Sequence, residues 1–440
     1  MAEIAPLSAL RYDLSRLSKD GGLGAVVAPP YDVIGPEERA ALAARDPHNI
    51  VNLILPEGEG DAKYARAAQL FTAWRNKGTL VRDEEPGFYR YEQTFTPPGG
   101  GASKTRRGFL GLVKIVGLHE KIVLPHERTL SGPKEDRLKL FRATRTNLSP
   151  GFMLYRDSER AIDSAIDSAT PITEFRTPDG ILHRFGKVAG RDAVRAIVDG
   201  VAKSSLLIAD GHHRYETALR YMEETTSTGG QRQEHHFFMV FFCNGDDPNL
   251  VVFPTHRHVH SLAAFDFDAL VEGARSLFDV SLLPGGASAA DMLSTLASSG
   301  GSGPSLVACA ADGRAALFVL RADVDLGKHP LLGQKPDVLR RTDVALLHLG
   351  VLEPVLRITP EMQAAKQNIW YPQDAAQALD ELRRGKGQVL FLMNATPTDQ
   401  VCRVAEAGEV MPQKSTFFYP KIVTGLCIHT LEPARSVATV

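Results

Sequence analysis

Residues 204–219 place the strongest constraint on the fold, because a strand pattern changes into a helix pattern within a few positions. The apolar run from Leu206 to Ala209 is typical of a strand inside a sheet. Beyond it, Tyr215, Ala218 and Leu219 recur at spacings of three and four, which predicts a helix with one buried face. A strand that leads directly into a helix indicates a mixed α/β chain.

The turn between this strand and helix has the sequence Asp210-Gly211-His212-His213-Arg214. At such a turn, backbone N–H groups and the positive end of the helix dipole point to one place, and this geometry binds anions. The arginine and the two histidines add charge and donors for phosphate oxygens. A helix N-cap role explains Asp210 alone. It does not explain three basic residues in a row, so we predict that all five residues form a phosphate-binding turn.

These residues carry two resemblances. Asp-Gly-His-His-Arg after a strand resembles the phosphate motif of the ParB/sulfiredoxin-like superfamily, in which a Gly-x-x-Arg turn opens a helix and holds nucleotide phosphates. More closely, Ile-Ala-Asp-Gly-His-His-Arg-Tyr-Glu-Thr-Ala-Leu resembles the signature of domain-of-unknown-function family 1015. That family is linked, through similarity to archaeal free-serine kinases, to phosphorylation of free L-serine. Sulfiredoxin repair uses a cysteine in this loop, and its absence here argues against that chemistry.

Composition excludes several broad classes of function. The 440 residues suffice for two or three domains, and 43% hydrophobic with 23% charged residues is ordinary for a globular protein. The net charge of −2 gives no general attraction to DNA or to anionic membranes. No apolar run approaches the length of a membrane span, and the first residues lack the features of a signal peptide. The four cysteines are scattered, without metal-ligand or redox spacing. We therefore expect a cytoplasmic protein.

A second unusual segment is Ala28-Pro29-Pro30-Tyr31-Asp32-Val33-Ile34. Its prolines fix an extended entry and lower the entropic cost of ordering a loop. A helix is predicted at residues 37–44 and a strand at residues 49–55. From the residues alone, a site loop and a plain turn in which Asp32 caps the helix are equally supported. The resemblance favours the site, because Pro-Pro-Tyr-Asp-Val-Ile recurs in the family. We predict Tyr31 as a substrate contact and Asp32 as one of two candidates for the catalytic base.

A third cluster is His126-Glu127, which precedes a helix predicted from Pro133 to about Arg145. An adjacent imidazole and carboxylate can supply a general base or a Mg²⁺ ligand, or they can hydrogen-bond a loop shut. The match of His-Glu-x-Thr and Asp-Arg-Leu to the family favours a functional role for both residues. The exposed face of the following helix is predicted to be basic and to include Arg137, for which we predict a substrate contact.

The segment of residues 254–260 is predicted to be extended, which places His256, His258 and His260 on one face. Such a row can bind zinc, but no fourth ligand is apparent, and the resemblance covers only Pro-Thr-His-Arg. We therefore expect no zinc site here and predict instead that His256 or Arg257 lies near phosphate.

A loop near the C-terminus carries Lys414 and Lys421 among aromatic residues and prolines. Lone lysines on loops are usually solvated, but an ammonium group can neutralise phosphate as a point charge. Met-Pro-x-Lys-Ser-Thr-x-Phe-x-Pro-Lys also matches the family. We predict that both lysines contact the phosphate donor.

The predicted architecture is mixed α/β, with a ParB-like nucleotide-binding core and an additional α/β lobe. Residues 1–260 are expected to form the core, with a β-meander inserted near residues 88–113, and residues 261–440 the lobe that bears the lysine loop. No repeat or heptad pattern is present.

Phosphoryl transfer needs positioned phosphates, a divalent ion and a base on the accepting hydroxyl. We predict a small-molecule kinase that uses ATP, ADP or pyrophosphate and Mg²⁺, with free L-serine as acceptor by resemblance. Asp32 or Glu127 would be the base, and Asp210 or Glu127 the metal ligand, all in one pocket with Arg214. The alternatives are a phosphatase or nucleotide hydrolase and a nucleotide-gated binding protein. A DNA-binding function is disfavoured, because an acidic helix end follows the phosphate turn. The oligomeric state stays open, with a homodimer as one alternative.

Overall fold

The computed structural model describes residues 1–18, 21–98, 100–127, 132–226, 232–432 and 434–439. Within these ranges the chain forms 21 strands and 15 α-helices, which confirms the predicted mixed α/β class. The chain contains two compact units. The first unit comprises Met1–Pro125, Thr129–Val251 and Pro420–Val440, and the second comprises His126–Arg128 and Val252–Tyr419. The boundary at residue 260 stays a prediction.

The strands are short to medium in length and are spread over the whole chain. They are β1 Ile4–Ala5, β2 Leu10–Tyr12, β3 Leu80–Arg82, β4 Phe88–Phe95, β5 Lys104–Lys114, β6 Val123–Leu124, β7 Thr146–Asn147, β8 Gly151–Tyr155, β9 Thr170–Arg176, β10 Leu182–Val188, β11 Leu206–Asp210, β12 Phe237–Asn244, β13 Val251–Phe253, β14 Arg257–Val259, β15 Phe278–Leu282, β16 Ser305–Ala310, β17 Ala315–Leu320, β18 Ile369–Trp370, β19 Val389–Met393, β20 Phe417–Tyr419 and β21 His429–Thr430.

The α-helices lie between these strands and range from one turn to four turns. They are α1 Gly22–Val26, α2 Pro36–Arg45, α3 Val51–Ile54, α4 Ala62–Asn76, α5 Gly132–Thr144, α6 Asp163–Asp167, α7 Arg191–Val201, α8 His212–Thr225, α9 Phe267–Ala274, α10 Ala289–Ser299, α11 Asp337–Arg340, α12 Asp343–Leu347, α13 Pro360–Ala364, α14 Ala375–Glu381 and α15 Thr398–Glu406. In the part of the chain that is described, none of the helices has both the length and the apolar character needed to cross a membrane.

The first unit is built on a nine-stranded sheet in the order β6-β11-β8-β12-β5-β4-β10-β9, with β1 paired to β5. The sheet is mixed, because β11 runs parallel to β6 and β12 parallel to β8, whereas β11 and β8 are antiparallel. Strands β4 and β5, which fall in the predicted β-meander, form an antiparallel pair that lies inside this sheet and pairs on both sides. Strand β11 therefore ends close to the start of β8, where the register opposes Asp210 and Phe152.

The predicted strand followed by a helix at residues 206–222 is confirmed by β11 and α8. Tyr215 and Ala218 are buried in the core against the sheet, and Leu219 packs beside them. Burial of one such large side chain contributes about 1.5–3 kcal/mol to stability. The buried face of α8 thus holds the helix against the sheet, and its first turn directly follows the C-terminal end of β11.

The predicted strand at residues 49–55 is wrong, because the chain forms the short helix α3 there. The side chain of Asn49 explains the difference: its Oδ1 accepts a hydrogen bond of 2.9 Å from the backbone N–H of Val51. Its amide nitrogen also donates to the carbonyl oxygen of Ala25 at 2.7 Å. Asparagine thus starts a helical turn that the apolar run alone does not indicate.

The second unit contains a six-stranded sheet in the order β15-β17-β16-β19-β14-β18. Strands β18 and β19 both run antiparallel to β14, which lies between them, and α14 connects them along the chain. Strand β18, helix α14 and strand β19 thus form a β–α–β arrangement. Buried residues of α10, α14 and three strands form the core of one face.

A short C-terminal segment belongs to the first unit. Strand β21 pairs with β7, and the hydroxyl of Thr430 donates to Oε2 of Glu234 at 2.7 Å. Thr424 and Ala28 exchange two backbone hydrogen bonds of 2.8 and 3.1 Å. The chain therefore returns to the first unit at residues 420–440.

Candidate functional site

Gly211 forms the turn between β11 and α8 and is the N-cap of the helix, with φ of +90°. This left-handed conformation is one that residues with a Cβ rarely adopt. A Cβ at this position would lie 2.9 Å from Nε of Arg214. Glycine is therefore required both by the backbone angle and by the close approach of the arginine.

Arg214 lies in the first turn of α8 and is only 5% exposed. Its Nη2 donates to Oδ2 of Asp210 at 3.0 Å, and its Nη1 donates to the carbonyl oxygen of Pro150. Burial by itself lowers the pKa of Arg214, but the charges of Asp210 and Asp32 outweigh this effect and raise it. Arg214 is thus a permanent cation that joins the turn to the start of β8.

Asp210, the last residue of β11, lies between two cations. Besides Arg214, the ammonium of Lys421 lies 3.6 Å from its Oδ1. Asp210 is not the N-cap, because Gly211 holds that position. Lys421, which is predicted to contact the phosphate donor, therefore lies at the turn that is predicted to bind phosphate.

Tyr31 and Asp32 lie in a single 3₁₀ turn, Tyr31–Val33. Burial, followed by the charge of Asp32, raises the pKa of Tyr31, and the charges of Arg137 and Arg214 partly oppose this shift. Asp32 is exposed, and it is not the N-cap of α2, since Gly35 holds that position. Asp32 therefore does not cap α2, and the role of this segment as a site loop stays a prediction.

Arg137 lies over the ring of Tyr31, with its Cζ 4.2 Å from the ring centroid. It was predicted on the exposed face of α5, but it is only 5% exposed, because its Nη1 donates inward to the carbonyl oxygen of Ile54 at 2.6 Å. Its Nε donates to Asp136 at 2.9 Å. Tyr31, Arg137 and Arg214 line one small cavity together with Ser149.

His212 and His213 follow Gly211 at the start of α8. His212 is buried, and His213 is half-buried, with its carbonyl oxygen accepting a hydrogen bond of 2.7 Å from the hydroxyl of Thr217. Both histidines thus lie at the positive end of the helix dipole, the position from which anions are bound.

Glu127 belongs to the second unit and holds a distant loop. Its carboxylate accepts hydrogen bonds from the backbone N–H groups of Lys414 at 3.1 Å and Thr416 at 3.0 Å. Of the alternatives for His126-Glu127, the structure therefore shows a loop held by hydrogen bonds. A role as base or metal ligand stays a prediction, as does a pocket shared with Asp32 and Arg214.

His126 is fully buried beside Glu127 and takes part in the same arrangement. Its Nε2 lies 2.8 Å from the hydroxyl of Thr416 and 3.6 Å from the Glu127 carboxylate. Its carbonyl oxygen accepts a hydrogen bond of 2.8 Å from the backbone N–H of Met411. Thr129 of the His-Glu-x-Thr motif lies outside the described residues.

His256 and Arg257 are buried in the sheet of the second unit. Burial lowers the pKa of His256 to about 4, so its ring is neutral at pH 7, and its Nδ1 accepts a hydrogen bond from the backbone N–H of Met393. Arg257 donates from Nε to His348 at 3.1 Å and from Nη2 to the carbonyl oxygen of Gln413 at 3.3 Å. Arg257 thus supports the loop that carries Lys414, which itself has a left-handed φ of +57°.

Two polar residues of the first unit were not singled out from the sequence. Arg106 and Gln93 oppose each other on β5 and β4, and both are buried. Strand alternation gives the signal for Gln93, because it places this amide on the same face as Tyr91 and Phe95. Within the described part of the chain, no group of three histidine, cysteine, aspartate or glutamate side chains is placed to hold a metal ion.

Comparison with known protein families gives one clear result. The sequence profile of a family described as "Protein of unknown function (DUF1015)" matches residues 4–345, well over half of the chain. The chain belongs to DUF1015. This DUF1015 match includes Tyr31, Glu127 and the turn at Gly211, and it ends before Lys414 and Lys421.

Several solved structures are similar to this DUF1015 chain at low identity. A conserved hypothetical protein from Pyrococcus furiosus is 14% identical, with a TM-score of 0.36 and coverage of 72% of this chain and 94% of that one. A free serine kinase in complex with AMP is 13% identical, with a TM-score of 0.37 and coverage of 72% and 91%. SbnI with a C-terminal truncation, from Staphylococcus aureus, is 10% identical, with a TM-score of 0.35 and coverage of 74% and 90%. No curated protein matches the chain. At TM-scores below 0.5, these likenesses assign no activity to it.

Proposed function

We propose that this chain is a small-molecule kinase with a ParB-like nucleotide-binding core, which phosphorylates the hydroxyl group of a free amino acid, L-serine by its motif resemblance. The observation that carries the proposal is a cluster in the first unit, where an exposed carboxylate lies near buried cations at the start of a helix. The cluster consists of Tyr31, Asp32, Arg137, Asp210, Arg214 and Lys421.

The donor phosphates would bind at the N-terminus of α8, which combines the helix dipole with Gly211 and the two histidines that follow it. Lys421 supplies a compact charge at the same turn. Arg214 acts mainly by fixing Asp210 and the turn, because both of its terminal nitrogens already donate within the chain.

The acceptor amino acid would lie beside Tyr31, and the hydroxyl group of the acceptor would be directed at Asp32. Asp32 takes the proton of that hydroxyl, the oxygen forms a bond to the terminal phosphorus, and the bond from phosphorus to the leaving phosphate oxygen breaks. Tyr31 and Arg137 line the cavity beside Arg214 and would contact the substrate.

A nucleotide kinase also needs a divalent ion, and the oxygen donors here fit Mg²⁺. This ion is usually held by one or two carboxylates together with phosphate oxygens and water. Asp210 offers such oxygens in the first unit, whereas Glu127 in the second unit already accepts two backbone N–H groups. When bound, the ion would neutralise charge on the phosphates.

The test is direct. Purified protein is incubated with Mg²⁺, with ATP, ADP or pyrophosphate, and with a panel of amino acids, and phosphorylated amino acids are sought by mass spectrometry. We expect phosphoserine with at least one donor. Asp32→Asn should lower the rate at least ~100-fold while donor affinity changes little. Glu38→Gln, an exposed carboxylate on α2, is the matched control and should retain the rate.

Either of two results would reject the kinase proposal in favour of another function. Phosphate release that is independent of any acceptor would identify a phosphatase or nucleotide hydrolase that uses the same turn with water as acceptor. Nucleotide binding without turnover, coupled to association with a partner, would identify a nucleotide-gated binding protein. Absence of nucleotide and pyrophosphate binding would reject all three.

A further inference from the structure

Arg106 is fully buried in the sheet of the first unit, where it holds the segment that carries Lys421. Its Nη2 donates to the side-chain oxygen of Gln93 and to the carbonyl oxygen of Pro420. Gln93 in turn donates from its amide nitrogen to the carbonyl oxygen of Lys421 at 2.9 Å. Two side chains of neighbouring strands therefore bind two successive carbonyl oxygens of the returning chain.

The guanidinium of Arg106 lies over aromatic rings of the next two strands. Its Cζ is 5.0 Å from the ring centroid of Phe152 and 5.7 Å from that of Phe241. Phe152 opposes Asp210 in the register between β8 and β11. The arginine therefore extends across the sheet toward the end of β11, where Lys421 lies 3.6 Å from Asp210.

This burial is unfavourable by itself. Desolvation lowers the pKa of Arg106 to about 10, and its Nε and Nη1 have no hydrogen-bond partner among the described residues. An apolar side chain of similar volume would fill the space without the cost of burying a charge. The bonds to Gln93 and Pro420 are what an apolar residue cannot provide.

We propose that Arg106 is a positioning residue that acts with Gln93 on the main chain at residues 420–421 and so places the ammonium of Lys421 at the Asp210 turn. The placement of Lys421 follows from the contacts alone. Its consequence for donor binding rests on the function proposed above.

The first experiment tests, in the absence of nucleotide, whether Arg106 holds the side chain of Lys421 in place. Lysines are acetylated with an N-hydroxysuccinimide ester, and the rate at each lysine is followed by peptide mass spectrometry. In Arg106→Met, Lys421 should react several-fold faster than in the wild type. Lys187 is the internal control, because it is 19% exposed against 17% for Lys421, and its ammonium lies 3.5 Å from the Asp83 carboxylate, as that of Lys421 lies 3.6 Å from Asp210. An unchanged rate at Lys421, or an equal rise at Lys187, would overturn the proposal.

Two further variants guard against a simple loss of folding. Gln93→Leu keeps Arg106 but removes one acceptor of its guanidinium together with the bond to the Lys421 carbonyl, and it should raise the reactivity of Lys421 in the same direction. Arg107→Met is the matched control: Arg107 follows Arg106 on β5, points to the opposite face and pairs with Asp163 at 3.2 Å. It should leave the Lys421 rate unchanged, and a similar rise in this variant would contradict the proposal.

The second experiment measures nucleotide affinity by calorimetry in a double-mutant cycle. Arg106→Met and Lys421→Ala should each weaken donor binding about tenfold, as expected for loss of a charged contact. If Arg106 acts through Lys421, the double variant should be no weaker than Lys421→Ala alone. Fully additive losses would overturn the proposed route. If the wild type binds no donor, the function proposed above fails, and the acetylation rates still decide the placement of Lys421.

Discussion

Glu127 accepts a hydrogen bond of 3.0 Å from the backbone N–H of Thr416, a residue 289 positions further along the chain. A second bond, from the N–H of Lys414, makes the carboxylate a two-point support for one loop. Hydrogen bonds to a charged acceptor are among the stronger ones in proteins. These two hydrogen bonds therefore give Glu127 a structural role that does not depend on a role in catalysis.

Glu127→Gln tests this role. An amide keeps one acceptor oxygen but turns an NH₂ group toward one of the two backbone donors, so we expect the free energy of unfolding to fall by about 1–3 kcal/mol. Hydrogen exchange should accelerate at Lys414 and Thr416. Glu120→Gln, which alters a carboxylate that accepts one backbone N–H in an exposed turn, is the control with a smaller effect. Unchanged exchange together with a ~100-fold loss of phosphoryl transfer would instead identify Glu127 as the base.

Arg214→Lys should destabilise the first unit. A lysine cannot serve both Asp210 and the carbonyl oxygen of Pro150, so one buried partner loses its donor at a cost of about 1.5–3 kcal/mol. Urea unfolding measures this loss. Arg220→Lys, on the exposed side of the same helix, should change stability by less than about 0.5 kcal/mol. A stable Arg214→Lys with weakened nucleotide binding would mean that the arginine contacts the donor directly.

Gly211→Ala should be among the most damaging small substitutions. The positive φ alone costs about 1–2 kcal/mol for a residue with a Cβ, and the new methyl would displace Arg214. Gly190→Ala is the matched control, since Gly190 is the N-cap of α7 with φ of −60° and open space around its Cα. Thermal unfolding of both variants compares the positions, and equal shifts would contradict the requirement for glycine at residue 211.

Because the carboxyl group of Asp343 is buried, we expect the free energy of unfolding to depend on pH. Burial raises the pKa of this carboxyl from 3.8 to about 6, although hydrogen bonds from Asn394 and from the backbone of Ser305 partly oppose the shift. The folded chain holds this proton more tightly, so the contribution is complete below pH 4 and is lost as pH rises through 6. The shift corresponds to about 3 kcal/mol.

The measurement compares urea unfolding of the wild type and of Asp343→Asn at pH 4 to 7. The stability of the wild type relative to the variant should fall over this window by up to about 3 kcal/mol. This difference removes the contributions of other titrating groups. A constant difference would show that Asp343 ionises as it does in the unfolded chain.

Predictions from the sequence are most accurate for structural elements that are determined by residues close to one another in the chain. The strand at Leu206, the turn at Gly211 and the helix at Tyr215 follow from local periodicity and one glycine, and all three are observed. Asn49 shows the limit of this approach, because a side-chain hydrogen bond turns an apolar run into a helix. Arg137 shows a second limit: a basic residue on a basic helix face is usually solvated, yet this one is buried against Tyr31.

Contacts between distant segments are not encoded in any local pattern. Nothing near Glu127 indicates that its partners are Lys414 and Thr416, and nothing near Arg106 indicates Pro420. These contacts depend on the path of the whole chain. Candidate site residues could thus be named from the sequence, whereas the hydrogen-bond partners of Glu127 and Arg106 could not.

The return of residues 420–440 to the first unit has a consequence for folding during synthesis. Lys421 and the strand that pairs with Thr146 are made long after the phosphate turn has left the ribosome. At about 5–20 residues per second, the nascent chain waits on the order of ten seconds or more between these events. During that interval Asp210 lacks the ammonium of Lys421, and β7 lacks its partner β21. The first unit is therefore completed only after the 252–419 segment has been synthesised in full.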